Sequence, residues 1–335
     1  LDHLGSLPLV SARYPRAPVL CSRASEVLAP RMLRNSCNVM KRQRQEQGIR
    51  EYPLYGRKGI DHLEDQLLAL DYRKPFHLEK DGETLTITLY RAGHIVGAVG
   101  VLLTYKHRHV FLTGDVLFGE QKTLSGADFP DFEVDTLIME TTRGSTERVA
   151  GTNRQSEVKR LLSDVTETLS AGGSVLLPVF ALGRMQEMIA ILAEARAHHR
   201  LPKVPVYCSG LGLALVDYFD VIARKLRAVS FRRGELDRLG VRDLPGEYKP
   251  GRDLGGSAIH LLSSGMMVEN TPSYMAATGL LGKDRNRVCF VGYCDPDTPG
   301  GKLQRTEPGA PFLFDALDYE CRVGAQVNRY DLSGH

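Results

Sequence analysis

Carboxylate and imidazole side chains occur at four places where the chain is expected to turn sharply. These residues are Asp2, His3, His94, Asp115 and His335. Imidazole and carboxylate are the ligands of hydrolytic zinc sites, and the glycine before His94, Asp115 and His335 permits a tight turn that aims a side chain into a cleft. A single histidine at a strand end is more often a structural residue, so only the set as a whole indicates metal-assisted hydrolysis.

A run of strands is predicted to position His94 and Asp115. In residues 83–90 Leu, Ile and Leu alternate with Thr, which is the period of a half-buried strand. Further apolar runs predict three more strands at 96–105, 110–116 and 135–142. The sequence therefore indicates a sheet over residues 83–142.

The pattern changes after residue 150, where helices alternate with short apolar strands. Helices are predicted at 156–169 and 185–197, the latter from apolar residues at the spacing of one helix face. Strands are predicted at 174–180, 204–209, 258–263 and 287–293, followed by a strand at 319–330. This alternation is typical of a mainly parallel α/β unit.

Short segments that could carry chemistry follow one another in a fixed order along the chain. They are Asp2-His-Leu-Gly-Ser-Leu-Pro8, Ala92-Gly-His94, Thr113-Gly-Asp115, Glu140-Thr-Thr-Arg-Gly144, Pro178-Val-Phe-Ala-Leu-Gly-Arg-Met-Gln-Glu187, Ser263-Ser-Gly-Met266, Gly292-Tyr293 and Ser333-Gly-His335. In this order they resemble the motifs of the metallo-β-lactamase superfamily in its β-CASP nuclease branch. The agreement is collinear over the whole chain, which makes the resemblance specific.

The resemblance implies an α/β fold in which an inserted domain interrupts a metallo-β-lactamase core. We expect an incomplete αββα sandwich at 1–144, an α/β β-CASP insertion at 145–318 and a return to the core at 319–335. The sequence begins part-way through the second motif of the family, and its last motif residue is His335. We therefore expect a fragment truncated at both ends of the metal-binding core.

The same resemblance implies a site with two zinc ions. One ion is assigned to His94, Asp115 and two upstream histidines, and the other to Asp2, His3, His335 and Asp115 as a bridge. Asp2, Glu140 and His335 are the expected catalytic residues. Glu140 either holds His335 in its ligating tautomer or belongs to a relay that protonates the leaving oxygen.

A phosphate-binding surface is expected where a strand runs into the helix that begins near Arg184. A helix N-terminus offers N–H groups and a positive dipole end. The residues assigned to it are Gly183, Arg184, Ser264 and Gly265. The alternative for Arg184 is a structural ion pair with Glu187. Two departures from the family pattern stand out, since Arg143 replaces a tyrosine and Asp295-Pro-Asp-Thr-Pro-Gly300 replaces an EGTxG-like segment.

The implied function is cleavage of RNA by a metal-activated hydroxide, as an endonuclease, a 5′-exonuclease or both. Three alternatives remain: a DNA-repair β-CASP nuclease, a non-catalytic RNA-binding homologue and a small-molecule metallohydrolase. The insertion at 145–318 argues against the last, since a single-domain hydrolase needs no lid over its metals. The expected partner is single-stranded RNA, with a homodimer as a further option.

Composition sets the remaining limits. Apolar residues make up 42% and charged residues 25% of the 335 residues, which is typical of a folded globular protein. A net charge of +3 is too small to indicate a nucleic-acid partner. Scattered cysteines without a CxxC pair predict reduced thiols and a cytoplasmic location. No apolar run is long enough to predict a membrane span.

Local basic clusters are the remaining candidates for RNA contact. They are Arg31, Arg34, Lys41, Arg42, Arg44 and Arg50 in one stretch, and Arg224, Lys225, Arg227, Arg232 and Arg233 in another.

Overall fold

The computed structural model describes residues 2–145, 150–244, 246–252 and 255–335. Leu1, at the start of the predicted motif, lies outside the described residues, as do parts of the predicted insertion. The helices of the described ranges are Leu7–Arg13 (α1), Arg23–Gln47 (α2), Arg57–Gln66 (α3), Arg154–Ser170 (α4), Arg184–Ala197 (α5), Leu211–Ala214 (α6), Val216–Lys225 (α7), Gly234–Leu239 (α8), Pro272–Leu280 (α9) and Pro299–Leu303 (α10).

The strands fall into several sheets of a mixed α/β fold. They are Val19–Ser22 (β1), Leu67–Leu70 (β2), Phe76–Lys80 (β3), Glu83–Arg91 (β4), Val99–Tyr105 (β5), Arg108–Leu112 (β6), Thr136–Ile138 (β7), Val175–Pro178 (β8), Val206–Cys208 (β9), Val241–Arg242 (β10), Ile259–Leu262 (β11), Arg287–Phe290 (β12), Pro311–Phe314 (β13), Tyr319–Arg322 (β14) and Gln326–Arg329 (β15).

The predicted first sheet is confirmed, in the order β3-β4-β5-β6-β7. Strands β3 to β6 form an antiparallel meander, and β7 pairs with β6 in parallel. The end of β4 nearest the site is buried on both faces over four consecutive residues, where alternation predicted one buried face. Strand β5 is shorter than predicted because the chain turns before Val99, and β6 and β7 are shorter because they end at Leu112 and Ile138.

A second sheet has the order β10-β9-β11-β8-β12-β15, and each of its strand pairs is parallel. Leu176 and Leu177 of its central strand β8 are completely buried, as expected for a strand covered on both faces. Helices α4 and α5 begin and end close to their predicted positions. The expected α/β fold, with a first sheet followed by a mainly parallel α/β unit, is therefore confirmed.

The prediction of one strand at 319–330 is wrong. The segment forms two strands in different sheets, since β14 pairs with β13 and β15 pairs with β12. Residues 323–325 separate the two strands, and a Cβ atom on Gly324 would lie 2.9 Å from the carbonyl oxygen of Gly282. Strand β15 belongs to the second sheet and ends at Arg329. Its pairing therefore favours an inserted unit that extends to Arg329. The domain division at 144 and 318 stays a prediction.

Helix α2 has no counterpart in the predicted elements. Its N-cap is Ser22, whose hydroxyl accepts a hydrogen bond from the amide of Ser25. One face contributes Leu28 and Met32 to the core that also contains Phe219 of α7. The first basic cluster extends along α2, and part of it is neutralised, because Arg34 pairs with Glu64 and Arg42 with Glu46.

Two sequence-based expectations concern chemistry outside the site. None of the six cysteines forms a disulfide. Among the described residues, no helix has the length and apolar character that crossing a bilayer would require.

Candidate metal centre

Three of the predicted ligands converge at one point. The ligand atoms of His94, Asp115 and His335 all lie within 4.8 Å of one another. Nε2 of His94 lies 3.7 Å from Oδ2 of Asp115, and the two imidazole centroids are 4.4 Å apart. His94 follows β4, Asp115 follows β6 and His335 follows β15. The fold thus joins loops of the first sheet to a segment that leaves the second sheet.

Glycines allow these loops to approach one another. Gly93 has a φ of +73°, and a Cβ atom there would lie 2.2 Å from the carbonyl oxygen of Leu117. Gly334 passes so close to His94 that its Cβ atom would lie 2.9 Å from Nδ1. Side chains at these two positions would displace His94, which explains the glycines in both motifs.

The tautomer of His94 follows from its hydrogen bond. Its Nδ1 lies 3.0 Å from the carbonyl oxygen of Gly334. A carbonyl oxygen only accepts, so Nδ1 is the donor and Nε2 carries the lone pair that faces Asp115. Burial lowers the pKa of His94 below its ordinary value. The ring is therefore a neutral imidazole with the tautomer that a metal ligand requires.

His335 is oriented by Glu140. Nδ1 of His335 lies 2.8 Å from Oε1 of Glu140, whose carboxylate also accepts hydrogen bonds from the amides of Val116 and Thr142. Burial opposes ionisation of Glu140, but hydrogen bonds from Thr142, Val116 and His335 outweigh it and lower the pKa to about 2. An ionised Glu140 accepts a hydrogen bond from the Nδ1–H group of His335, which leaves Nε2 available as a ligand.

Asp2 and His3 lie at the outer side of this cluster. Nε2 of His3 is 2.9 Å from Oδ2 of Asp115, and Oδ2 of Asp2 is 3.5 Å from the same nitrogen. Their side chains are 64% and 85% exposed, for His3 and Asp2 respectively. The N-terminal motif therefore lies beside Asp115, outside the close group formed by the other three ligands.

Arg184 is buried beside the metal centre. Only 6% of the residue is exposed, and its Nη2 donates to Oε1 of Gln121 at 3.0 Å. Its Nη1 is buried and has no hydrogen-bond partner within the described chain. Burial lowers its pKa to about 10, and the charge of Arg154 adds to this effect. An unpaired donor on a buried cation is a natural contact for an anion.

The other predicted phosphate-binding residues are already engaged in part. The amide of Gly183 donates to Oε1 of Gln186 at 2.8 Å, inside the N-terminal cap of α5. The hydroxyl of Ser264 accepts from the amide of Val268. A Cβ atom on Gly265 would lie 2.9 Å from the ring of Phe180. Among the buried side-chain atoms of the four residues, Nη1 of Arg184 is the donor that has no partner within the described chain.

Two functional contacts were missed by sequence reasoning. Nε2 of Gln121 donates to the carbonyl oxygens of Gly93 at 2.7 Å and His94 at 3.0 Å, so Gln121 connects Arg184 to the His94 loop. The ion pair of Glu187 is with Arg154, at 2.9 Å, where the sequence suggested Arg184 as its partner. Gln121 stands in an irregular loop without a motif, so no sequence signal identified it.

The donor set fits a hydrolytic metal site. Two imidazoles bring ring nitrogens within 4.8 Å of a carboxylate oxygen, and each Nδ1 lies within hydrogen-bond distance of an acceptor, as in ligating histidines. Histidine nitrogen and carboxylate oxygen are the ligands that catalytic zinc sites use. The arrangement therefore suits a divalent metal.

The comparisons with known proteins agree with this chemistry. Residues 185–303 match the model of the Beta-Casp domain. Transcription termination factor FttA of Pyrococcus abyssi is 29% identical over 349 residues, which covers 100% of this chain and 52% of the relative. Cleavage and polyadenylation specificity factor subunit 3-II of Arabidopsis thaliana is 27% identical over 335 residues, covering 96% of this chain and 51% of the relative.

A shorter alignment reaches higher identity. Endoribonuclease YSH1 of Gibberella zeae is 32% identical over 212 residues, which covers 62% of this chain and 24% of that protein. The chain spans about half the length of the first curated relatives that it matches.

Proposed function

Because the chain belongs to the β-CASP family of metallo-β-lactamase-fold proteins, we propose that it forms the catalytic part of a metal-dependent ribonuclease. The observation that carries the proposal is the convergence of His94, Asp115 and His335, with the Nδ1 atom of each imidazole tied to an acceptor. A set of structural residues would not require two histidines, each with Nδ1 held by an acceptor, to bring ring nitrogens within 4.8 Å of the same carboxylate.

Zinc is the proposed metal, with two ions in the complete site. His94 and Asp115 would serve one ion, and Asp2, His3, Asp115 and His335 the other. Two zinc ions supply Lewis acidity, which activates water and neutralises charge on phosphoryl oxygens. The proximity of His3 to Asp115 supports the shared use of that carboxylate.

The residues of the chain have distinct proposed roles around this centre. Asp2 orients the attacking water, and its exposed carboxylate is accessible to solvent. Glu140 holds His335 in the ligating tautomer, which its hydrogen bond supports over a proton relay. Arg184, with its unpaired Nη1, binds the scissile phosphate. Gly183, Ser264 and Gly265 are proposed to shape the phosphate-binding surface at the carboxyl ends of β8 and β11, where ligands of parallel sheets bind.

RNA is the proposed substrate, in single-stranded form. The relatives include an endoribonuclease and a subunit of a cleavage and polyadenylation factor. This likeness favours cleavage at internal positions of the RNA. A DNA-repair nuclease and a non-catalytic RNA-binding homologue are the two alternatives that the experiment below must separate. The cytoplasmic location and the homodimer stay predictions.

The test is a cleavage assay of the complete protein on a labelled single-stranded RNA and on DNA of the same sequence. We expect cleavage of RNA with zinc, its loss after chelation, and a loss of more than about 100-fold in Asp115→Ala, since outer-shell partners alone contribute about 10- to 100-fold. Asp131→Ala, at an exposed loop aspartate, is the matched control. Equal activity of wild type and Asp115→Ala would contradict the proposal. Cleavage of DNA alone would favour the repair nuclease, and RNA binding without cleavage the non-catalytic homologue.

A further inference from the structure

Arg143 forms an ion pair that joins two distant segments beside the metal centre. Its Nη1 pairs with Oδ1 of Asp331, and its Nη2 lies 2.9 Å from Oδ2 of the same carboxylate. The side chains are 26% and 29% exposed, and the residues are 188 positions apart in the chain. A bidentate pair of this kind fixes both partners in orientation as well as in distance.

The pair bridges the same two segments as the contact between Glu140 and His335. Arg143 follows Glu140 by three residues, and Asp331 precedes His335 by four. The hydrogen bond from His335 to Glu140 and the ion pair from Arg143 to Asp331 therefore act as two attachment points between the same loops. With one point alone, the His335 segment could rotate about it.

The backbone of Asp331 is held by helix α4 as well. The amide of Asp331 donates to Oε2 of Glu157 at 2.7 Å, and Arg160 pairs with the same oxygen. Asp331 is therefore fixed through its main chain by Glu157 and through its carboxylate by Arg143.

We propose that Arg143 and Asp331 are a positioning pair that holds His335 in the orientation required for metal binding. The pair acts through the backbone of 331–335 and does not itself contact the ligand atoms. The inference rests on the proposed function only in taking His335 as a metal ligand. The position of the imidazole is a property of the protein alone. Lysine cannot replace Arg143, because an ammonium group lacks the planar fork that engages both carboxylate oxygens.

The experiment measures the His335 imidazole directly in the complete, metal-free protein. Protein with 15N-labelled histidine is studied by NMR, and the proton on Nδ1 of His335 is assigned by its loss in His335→Gln. We expect a slowly exchanging signal in wild type that is lost or broadened in Arg143→Ala, Arg143→Lys and Asp331→Asn. Zinc affinity, measured against a competing chelator, should fall about 10-fold or more in the same variants.

A double-mutant cycle separates positioning from general stabilisation. Arg143→Ala combined with Asp331→Asn should bind zinc no more weakly than the worse single variant, because the two residues act as one unit. Arg73→Ala is the matched control, since Arg73 forms a bidentate pair with Asp128 on the first sheet, and it should leave both the signal and the affinity unchanged. Asp331→Asn is nearly isosteric, so it remains informative if Arg143→Ala fails to fold.

The proposal is overturned if the Nδ1 signal and zinc affinity persist in all single variants, or if the effects of the two substitutions simply add. These readouts need no RNA. If wild type binds zinc but does not cleave RNA, the proposed function fails, and the NMR signal and the affinities still decide the role of the pair.

Discussion

The two imidazoles of the metal centre are oriented by acceptors of different kinds. His94 donates to a backbone carbonyl of Gly334, whereas His335 donates to the carboxylate of Glu140. The motifs predicted that both histidines would face a metal, and the role suggested for Glu140 agrees with its hydrogen bond. The acceptor of His94 could not be predicted, because a backbone contact across 240 positions depends on how the loops pack.

A buried histidine away from the site makes stability depend on pH. His260 is 1% exposed in β11, and its Nδ1 lies 2.9 Å from the hydroxyl of Tyr248. Burial lowers the pKa of His260 from 6.5 to about 4. In the unfolded chain the imidazole of His260 is protonated below about pH 6.5, whereas in the folded chain it stays neutral down to about pH 4. The free energy of unfolding therefore falls as the pH falls through this window.

We therefore predict that His260 contributes about 3 kcal/mol to the loss of unfolding free energy between pH 7 and pH 4, at about 1.4 kcal/mol per pKa unit. In urea unfolding at the two pH values, His260→Gln should show a smaller loss by about that amount. His199→Gln, at an exposed position, should behave like wild type. An unchanged pH dependence in His260→Gln would show that the group does not titrate as described.

At the scale of elements, sequence patterns identified α4, α5 and the strands β8, β9, β11 and β12 of the second sheet, and failed for β10, for the division of 319–330 into β14 and β15, and for α2. Helices α4 and α5 carry apolar residues at helical spacing and were predicted within two residues. Helix α2 is rich in arginine and glutamine along its second half and contains Pro30, so its pattern did not stand out as a helix. Its burial depends on packing against α7, which belongs to a distant part of the chain.

Helix α5 is anchored to the loop between β6 and β7 by one buried carboxylate. Glu187 is completely buried, and it accepts hydrogen bonds from the amides of Lys122 and Thr123 and from the Thr123 hydroxyl at 2.7 to 2.8 Å. Arg154 of α4 pairs with the same carboxylate. This contact fixes the first turn of α5, and therefore Arg184, against the loop that carries Gln121.

Glu187→Ala should lower the free energy of unfolding by about 3–5 kcal/mol, because it leaves Arg154 and three donors without their buried partner. Glu194→Ala is the control on the same helix, since its pair with Lys122 is exposed and should contribute at most about 1 kcal/mol. Urea midpoints at constant m-value provide the measurement. Equal losses in the two variants would mean that Glu187 does not anchor the helix.

At the scale of the whole molecule, the candidate metal centre depends on both sheets. His94 and Asp115 follow strands of the first sheet, and His335 is reached directly from β15 of the second. The order of the motifs predicted a core interrupted by an α/β insertion. It could not predict that β15 would pair with β12, because parallel pairing between distant strands leaves no local signal in the sequence.

The central claim is that residues distant in sequence form one zinc site. The most direct measurement is anomalous diffraction at the zinc edge from crystals of the complete protein. We predict a zinc peak bounded by Nε2 of His94, Nε2 of His335 and the carboxylate of Asp115, with a second peak toward His3. Absence of zinc among these atoms in zinc-loaded crystals, or zinc bound at a separate place, would contradict the account.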